Sequence, residues 1–169
     1  MIRFVEGDTE EGETGMQLAL EKEKLGVNYL EHYAFLMLEN KQYSKALEAF
    51  LKLSPIANEY VSCHTALAQC YSELGKTQEC IETLEEVLKV DPEDAIALNN
   101  IGFAKLEAQE YEEAIVHFDK AIQVEADFAF AFDNRGFAYL RIGNMEQAIK
   151  DINHSIDLGR TNSYAFKNR

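Results

Sequence analysis

Three asparagines, Asn100, Asn134 and Asn168, stand 34 residues apart along the chain. A primary amide both donates and accepts hydrogen bonds. A row of them therefore suits the main chain of an extended peptide, which offers one N–H and one C=O per residue. The residues that make and break bonds show no comparable order. His32, His64, His117 and His154 are 32 to 53 residues apart and share no place in the 34-residue period. No Cys/His or carboxylate–His motif has ligand spacing, and there is no Gly-rich phosphate loop. The acidic residues are distributed like solvated helix faces. Glu112-Glu113 reads as a pair at a helix start, where the helix dipole favours negative charge. The expectation is a binding protein, not an enzyme, with no metal and no cofactor.

The asparagines belong to a longer repeat. Ala97-Leu98-Asn99-Asn100-Ile101-Gly102-Phe103-Ala104 returns as Ala131-Phe132-Asp133-Asn134-Arg135-Gly136-Phe137-Ala138, with five of eight positions identical. A clipped third copy, Tyr164-Ala165-Phe166-Lys167-Asn168-Arg169, closes the chain. A fixed period of this size marks stacked structural repeats. A 34-residue frame laid from Val27 needs no insertion and gives 27–60, 61–94, 95–128 and 129–162. Its eighth position reads Ala34, Ala68, Gly102, Gly136, and its twentieth Ala46, Cys80, Ala114, Ala148. Small residues there let two helices cross closely. The twenty-first reads Leu47, Ile81, Ile115, Ile149, and the twenty-fourth Phe50, Leu84, Phe118, Ile152. The eleventh reads Met37, Tyr71, Lys105, Tyr139, with Lys105 the exception.

Within a unit the spacing is helical. Tyr111, Ala114, Ile115, Phe118, Ala121 and Ile122 recur at steps of three and four. Turn residues fall in mid-unit: Asn40-Lys41, Gly75, Gln109-Glu110 and Gly143-Asn144. Asp91-Pro92 closes one unit, and its proline is expected to open the next helix. Each unit reads as a helical hairpin, and the fold as all-α.

This pattern resembles the tetratricopeptide repeat family over residues 27–162. Residues 163–169 look like the start of a fifth repeat or a capping helix. Departures are His64 at the fourth position, Thr77 where Tyr43 and Tyr111 stand, and Arg135 after Tyr33, Leu67 and Ile101. The resemblance implies an α-α superhelix, a solenoid of stacked antiparallel hairpins whose first helices line a concave side. That side would receive an extended peptide or a partner helix. Asn100, Asn134 and Asn168 would bind the peptide main chain. Phe103, Phe130, Phe137, Leu106 and Leu140 would form side-chain pockets, and Arg135, Arg141 and Lys167 would meet acidic groups. Two plainer roles compete: the asparagines tie neighbouring units together, and the aromatics are buried. One subclass of the family clamps acidic chaperone tails with paired bases. Around Asn100 the matching positions are Thr65, Gln69, Phe130 and Asn134, and around Asn134 they are Asn99, Phe103, Tyr164 and Asn168. Neither set supplies the bases, so that reading is excluded.

Outside the repeats, residues 1–15 are acidic and Gly-punctuated and are expected to be disordered. Residues 16–26 have helical character and read as an N-terminal extension or cap. Ser54-Pro55 reads as an N-cap followed by a first-turn proline, so the second unit's first helix should begin near Pro55 and be longer than its counterparts. The end at Arg169 is expected to reflect either a truncated array or a short capping helix.

Net charge is −14, which disfavours nucleic acid as a partner. Residues 61–94 carry eight acids and two bases, 95–128 seven and two, and 129–162 four and four. The middle section thus attracts basic segments or simply keeps its outer faces solvated. No apolar run approaches the length of a membrane span, and the N-terminus does not read as a secretory signal. Cys63, Cys70 and Cys80 lack disulfide or zinc spacing and read as small buried residues in a reducing compartment. These features point to a cytoplasmic adaptor for a protein or peptide partner with basic or apolar segments. A small chaperone for an apolar client segment, like those serving type III secretion, is the alternative. So is a self-assembling module that forms homodimers through the C-terminal hairpin.

Overall fold

The computed structural model describes residues 25–53 and 61–159. The expectations for residues 1–15 and 16–24, the helix start at Pro55, and Asn168, Lys167 and the rest of 163–169 lie outside these residues. Among the described residues there are eight helices and no strand: α1 Leu25–Glu39, α2 Tyr43–Leu53, α3 Val61–Glu73, α4 Thr77–Val90, α5 Ala95–Glu107, α6 Tyr111–Val124, α7 Ala129–Arg141 and α8 Met145–Gly159. The fold is an all-α helical-repeat solenoid. The chain divides into two compact units, one ending at Gly75 and one beginning at Lys76. The first holds α1–α3 and the second α4–α8.

In the first unit, Leu30, Tyr33, Ala34 and Met37 of α1 meet Ala46, Leu47, Phe50 and Leu53 of α2 and Ala66, Leu67 and Cys70 of α3. Phe35 packs edge-on to Phe50, with ring centroids 5.1 Å apart. That is a favoured geometry for an aromatic pair. Burial pushes the Cys70 thiol up to about 11, and like Cys63 and Cys80 it is buried and in no disulfide. A thiol held that high is a small apolar core residue and not a nucleophile.

In the second unit, α5 packs on α6, α7 on α8, α6 on α7 and α4 on α5. The small residues of the eighth position explain the close crossings. A Cβ added at Gly102 would come within 2.6 Å of the Phe118 ring, and one at Gly136 within 2.8 Å of Ile152 Cγ1. Phe118 is fully buried and has no room to retreat. Gly102→Ala gains about 1 kcal/mol of helix propensity, but overpacking costs about 1–3 kcal/mol. The expected result is a net loss of up to about 2 kcal/mol in urea unfolding.

The mid-unit turns share one conformation. Lys41, Gly75, Gln109 and Gly143 occupy the same repeat position, with φ of 58°, 70°, 65° and 81°. The amides that follow close the helix end by bonding back to orphan carbonyls: Gln42 to Met37, Glu110 to Lys105 and Asn144 to Tyr139. This left-handed cap normally selects glycine. Gln109 adopts it at a cost of about 1 kcal/mol. Gln109→Gly is therefore expected to stabilise the protein by about 0.5–1 kcal/mol, and Gly143→Ala to destabilise it by about as much, in paired urea titrations.

One helix start corrects the sequence reading. Pro92 lies in the turn before α5, not in its first turn. Asp94 caps α5 instead, its carboxylate accepting from the Ala97 N–H at 2.8 Å, and Asp91 Oδ1 accepts from the Glu93 N–H at 3.1 Å. The Asp94 carboxylate thereby satisfies one of the orphan N–H groups of the first turn.

Candidate functional site

The candidate residues sit on α5 and α7, first helices of successive hairpins that touch each other. On α5, Ile96, Asn99, Asn100 and Phe103 follow helical steps along one face. On α7, Phe130, Asp133, Asn134, Phe137 and Arg141 do the same. The two faces are joined by amides. Asn134 Nδ2 donates to Asn99 Oδ1 at 3.0 Å, and Asn99 Nδ2 donates to Asn100 Oδ1 at 3.3 Å. Asn99 is buried and the other two are half-buried. The relay uses one donor of Asn134 and one acceptor of Asn100. It leaves the Asn100 NH2 group and the Asn134 carbonyl oxygen at the partly exposed edge.

Beside the amides lies an apolar ledge. Phe103 is 39% and Phe137 45% exposed, and Ile96 and Leu140 are exposed as well. Phe130 is half-buried and packs edge-on to Phe128 at 6.3 Å. The Arg141 guanidinium lies 5.1 Å from the Tyr111 ring centroid and 5.9 Å from that of Phe137. Stacking on rings fixes the guanidinium plane while leaving its edge donors available.

Two residues read as binding groups from the sequence do other work. Leu106 is only 5% exposed and clusters with Ala114, Ile115 and Phe118 of α6 and Ala138 of α7. It is a core residue and does not line the ledge. Arg135 is consumed internally. Its Nε and Nη2 bond to Asp151 Oδ2 and Oδ1 at 2.6 and 2.8 Å, and its Nη1 to Asp119 Oδ1 at 2.6 Å. Burial opposes the charge, but the bonds to Asp151 and Asp119 outweigh it and hold the guanidinium pKa above its ordinary value. The exception at the eleventh position has a similar cause. Lys105 Nζ reaches Glu110 at 2.6 Å and Glu113 at 2.8 Å.

Sequence reasoning missed Asn99. Its repeat position reads Glu31, Thr65, Asn99, Asp133, so no column marked it out. The adjacent Asn99-Asn100 pair was the available signal. Little else resembles a reaction centre. His117 Nδ1 is buried without a hydrogen-bond partner. Burial, then Lys120 and Lys105, lower its pKa and keep it neutral. Among the described residues no group of three His, Cys, Asp or Glu side chains comes together to hold a metal, and no helix is long and apolar enough to cross a membrane.

Comparison with known proteins fits this architecture. The family model for the tetratricopeptide repeat matches residues 95–128 and 131–162, and that for anaphase-promoting complex, cyclosome, subunit 3 matches 17–87. No curated protein sequence matches the chain. Among solved structures, MamA 41-end from Desulfovibrio magneticus RS-1 is 17% identical, with a TM-score of 0.76, covering 90% of this chain and 88% of that one. YrrB, described as a TPR protein with an unusual peptide-binding site, is 18% identical, with a TM-score of 0.72, covering 92% and 81%. The second TPR of Spaghetti (RPAP3), bound to the HSP90 peptide SRMEEVD, is 26% identical, with a TM-score of 0.56, covering 58% and 91%. Residues 95–128 and 131–162 are thus tetratricopeptide repeats, and proteins of that family are generally protein-interaction modules.

Proposed function

We propose that this protein is a non-catalytic adaptor that holds an extended peptide along the face shared by α5 and α7. The observation that carries the reading is the relay of Asn134, Asn99 and Asn100 lying beside exposed Phe103 and Phe137. Unspent amide groups at its edge suit the peptide main chain. The phenylalanines, with Phe130 and Leu140, offer apolar contact to alternate side chains, and exposed apolar patches mark partner sites. Arg141, stacked and without a carboxylate partner among the described residues, receives an acidic group. The peptide-bound RPAP3 domain supports the mode of binding, although the basic clamp positions are not filled here. We also propose four 34-residue units over residues 27–162 and a cytoplasmic site of action, the latter supported by three buried cysteines that form no disulfide.

The test is a peptide array probed with the full chain. Binders should share spaced apolar residues and an acidic residue, and Arg141→Ala should erase the acidic preference while sparing the apolar one. Binders without apolar residues would overturn the reading. The apolar ledge also fits a chaperone that shields a client segment. In that case the Phe103→Ala/Phe137→Ala chain loses binding, while Asn100→Ala/Asn134→Ala keeps it.

A further inference from the structure

The last described helix carries an apolar stripe that the described helices cover only at its edge, where Ile152 meets Gly136 of α7. Met145 and Ile149 are each 54% exposed and Ile156 is 49% exposed, with half-buried Ile152 between them. Their repeat equivalents are covered. At the position of Ile149, Ile81 of α4 is 8% and Ile115 of α6 is 9% exposed. Ile115 packs with Ala138 and Tyr139 of α7, and Ile122, the equivalent of Ile156, packs with Ala131 and Phe128. The α8 stripe is thus a copy of the face by which α6 receives α7.

We infer that this stripe pairs with the same stripe of a second copy of the chain. Two observations choose that occupant. First, residues 145, 149, 152 and 156 are spaced four, three and four, which reads the same from either end. A copy laid antiparallel about a two-fold axis sets Met145 against Ile156 and Ile149 against Ile152, and each contact occurs twice. That is the self-complementarity an isologous interface requires. In the same register neither of the exposed acids, Glu146 and Asp157, lies opposite another acid. Second, the chain carries −14 overall, yet residues 129–162 hold four acids and four bases. Two acidic chains approach with least repulsion through this neutral section.

Sedimentation equilibrium of the full chain should show a monomer–dimer equilibrium. Ile149→Glu places a charge in the pairing face and should weaken dimerisation at least about 100-fold. Val90→Glu, at an exposed apolar residue on α4, should leave it unchanged. Ile149 is more than half exposed, so the variant should keep the circular dichroism of the parent. Mixing a Met145→Cys chain with an Ile156→Cys chain should give a disulfide-linked heterodimer on oxidation. A parent that stays monomeric throughout the micromolar range would overturn the inference. So would a dimer that survives Ile149→Glu, or α8 amides whose exchange protection depends on residues 160–169 instead of concentration.

Discussion

Asp151→Ala is expected to destabilise the protein by about 3–5 kcal/mol in urea unfolding, one of the largest single-residue effects in the second unit. Asp151 is almost wholly buried and takes two of the three hydrogen bonds that Arg135 makes. Removing it leaves a half-buried guanidinium with Asp119 alone, and Asp119 is itself well exposed. An uncompensated buried charge costs far more than the pair contributes. Arg135→Met should be similarly costly, because Asp151 is then stranded. The double variant Arg135→Met/Asp151→Leu should recover to within about 1 kcal/mol of the parent or exceed it. The repeat itself supplies the precedent. One unit earlier the two positions hold Ile101, which is buried, and His117, which is kept neutral. An Asp151→Ala loss below about 1 kcal/mol would mean the pair is an ornament of the surface.

The second large effect concerns the ligand. Phe103→Ala/Phe137→Ala should weaken a peptide selected from an array about 100-fold, since exposed aromatic anchors dominate such contacts. Asn100→Ala/Asn134→Ala should weaken it about 10–100-fold through lost main-chain bonds. Leu106→Ala is the informative contrast. It empties a core position, so it should lower stability by about 2–5 kcal/mol while leaving the affinity of the folded fraction intact. Isothermal titration with parallel unfolding curves separates the two kinds of loss.

The hairpins were legible because packing writes itself into residue size. Ala34, Ala68, Gly102 and Gly136 announce a close crossing, and Phe118 over Gly102 is that crossing seen in atoms. What the repeat could not convey was where a column changes its surroundings. Leu106 and Leu140 share a position, yet Leu106 lies under Ala138 of the following hairpin, and Leu140 is exposed. Arg135 looked like a flaw in an apolar column because its partner, Asp151, is sixteen residues away on another helix. Backbone conformation was legible at Gly75 and Gly143 and hidden at Lys41 and Gln109, whose residue types do not report a positive φ. The amide row was visible as Asn100 and Asn134, but the buried bridge between them, Asn99, is a contact across two helices that no one-dimensional period records.

The most direct test of peptide binding on the α5–α7 face is an NMR titration of the isotopically labelled chain with an array-selected peptide. The side-chain NH2 resonances of Asn100 and Asn134 and the ring signals of Phe103 and Phe137 should shift together and saturate at one affinity. Saturating shifts confined to other helices, with those four residues unmoved, would contradict the account.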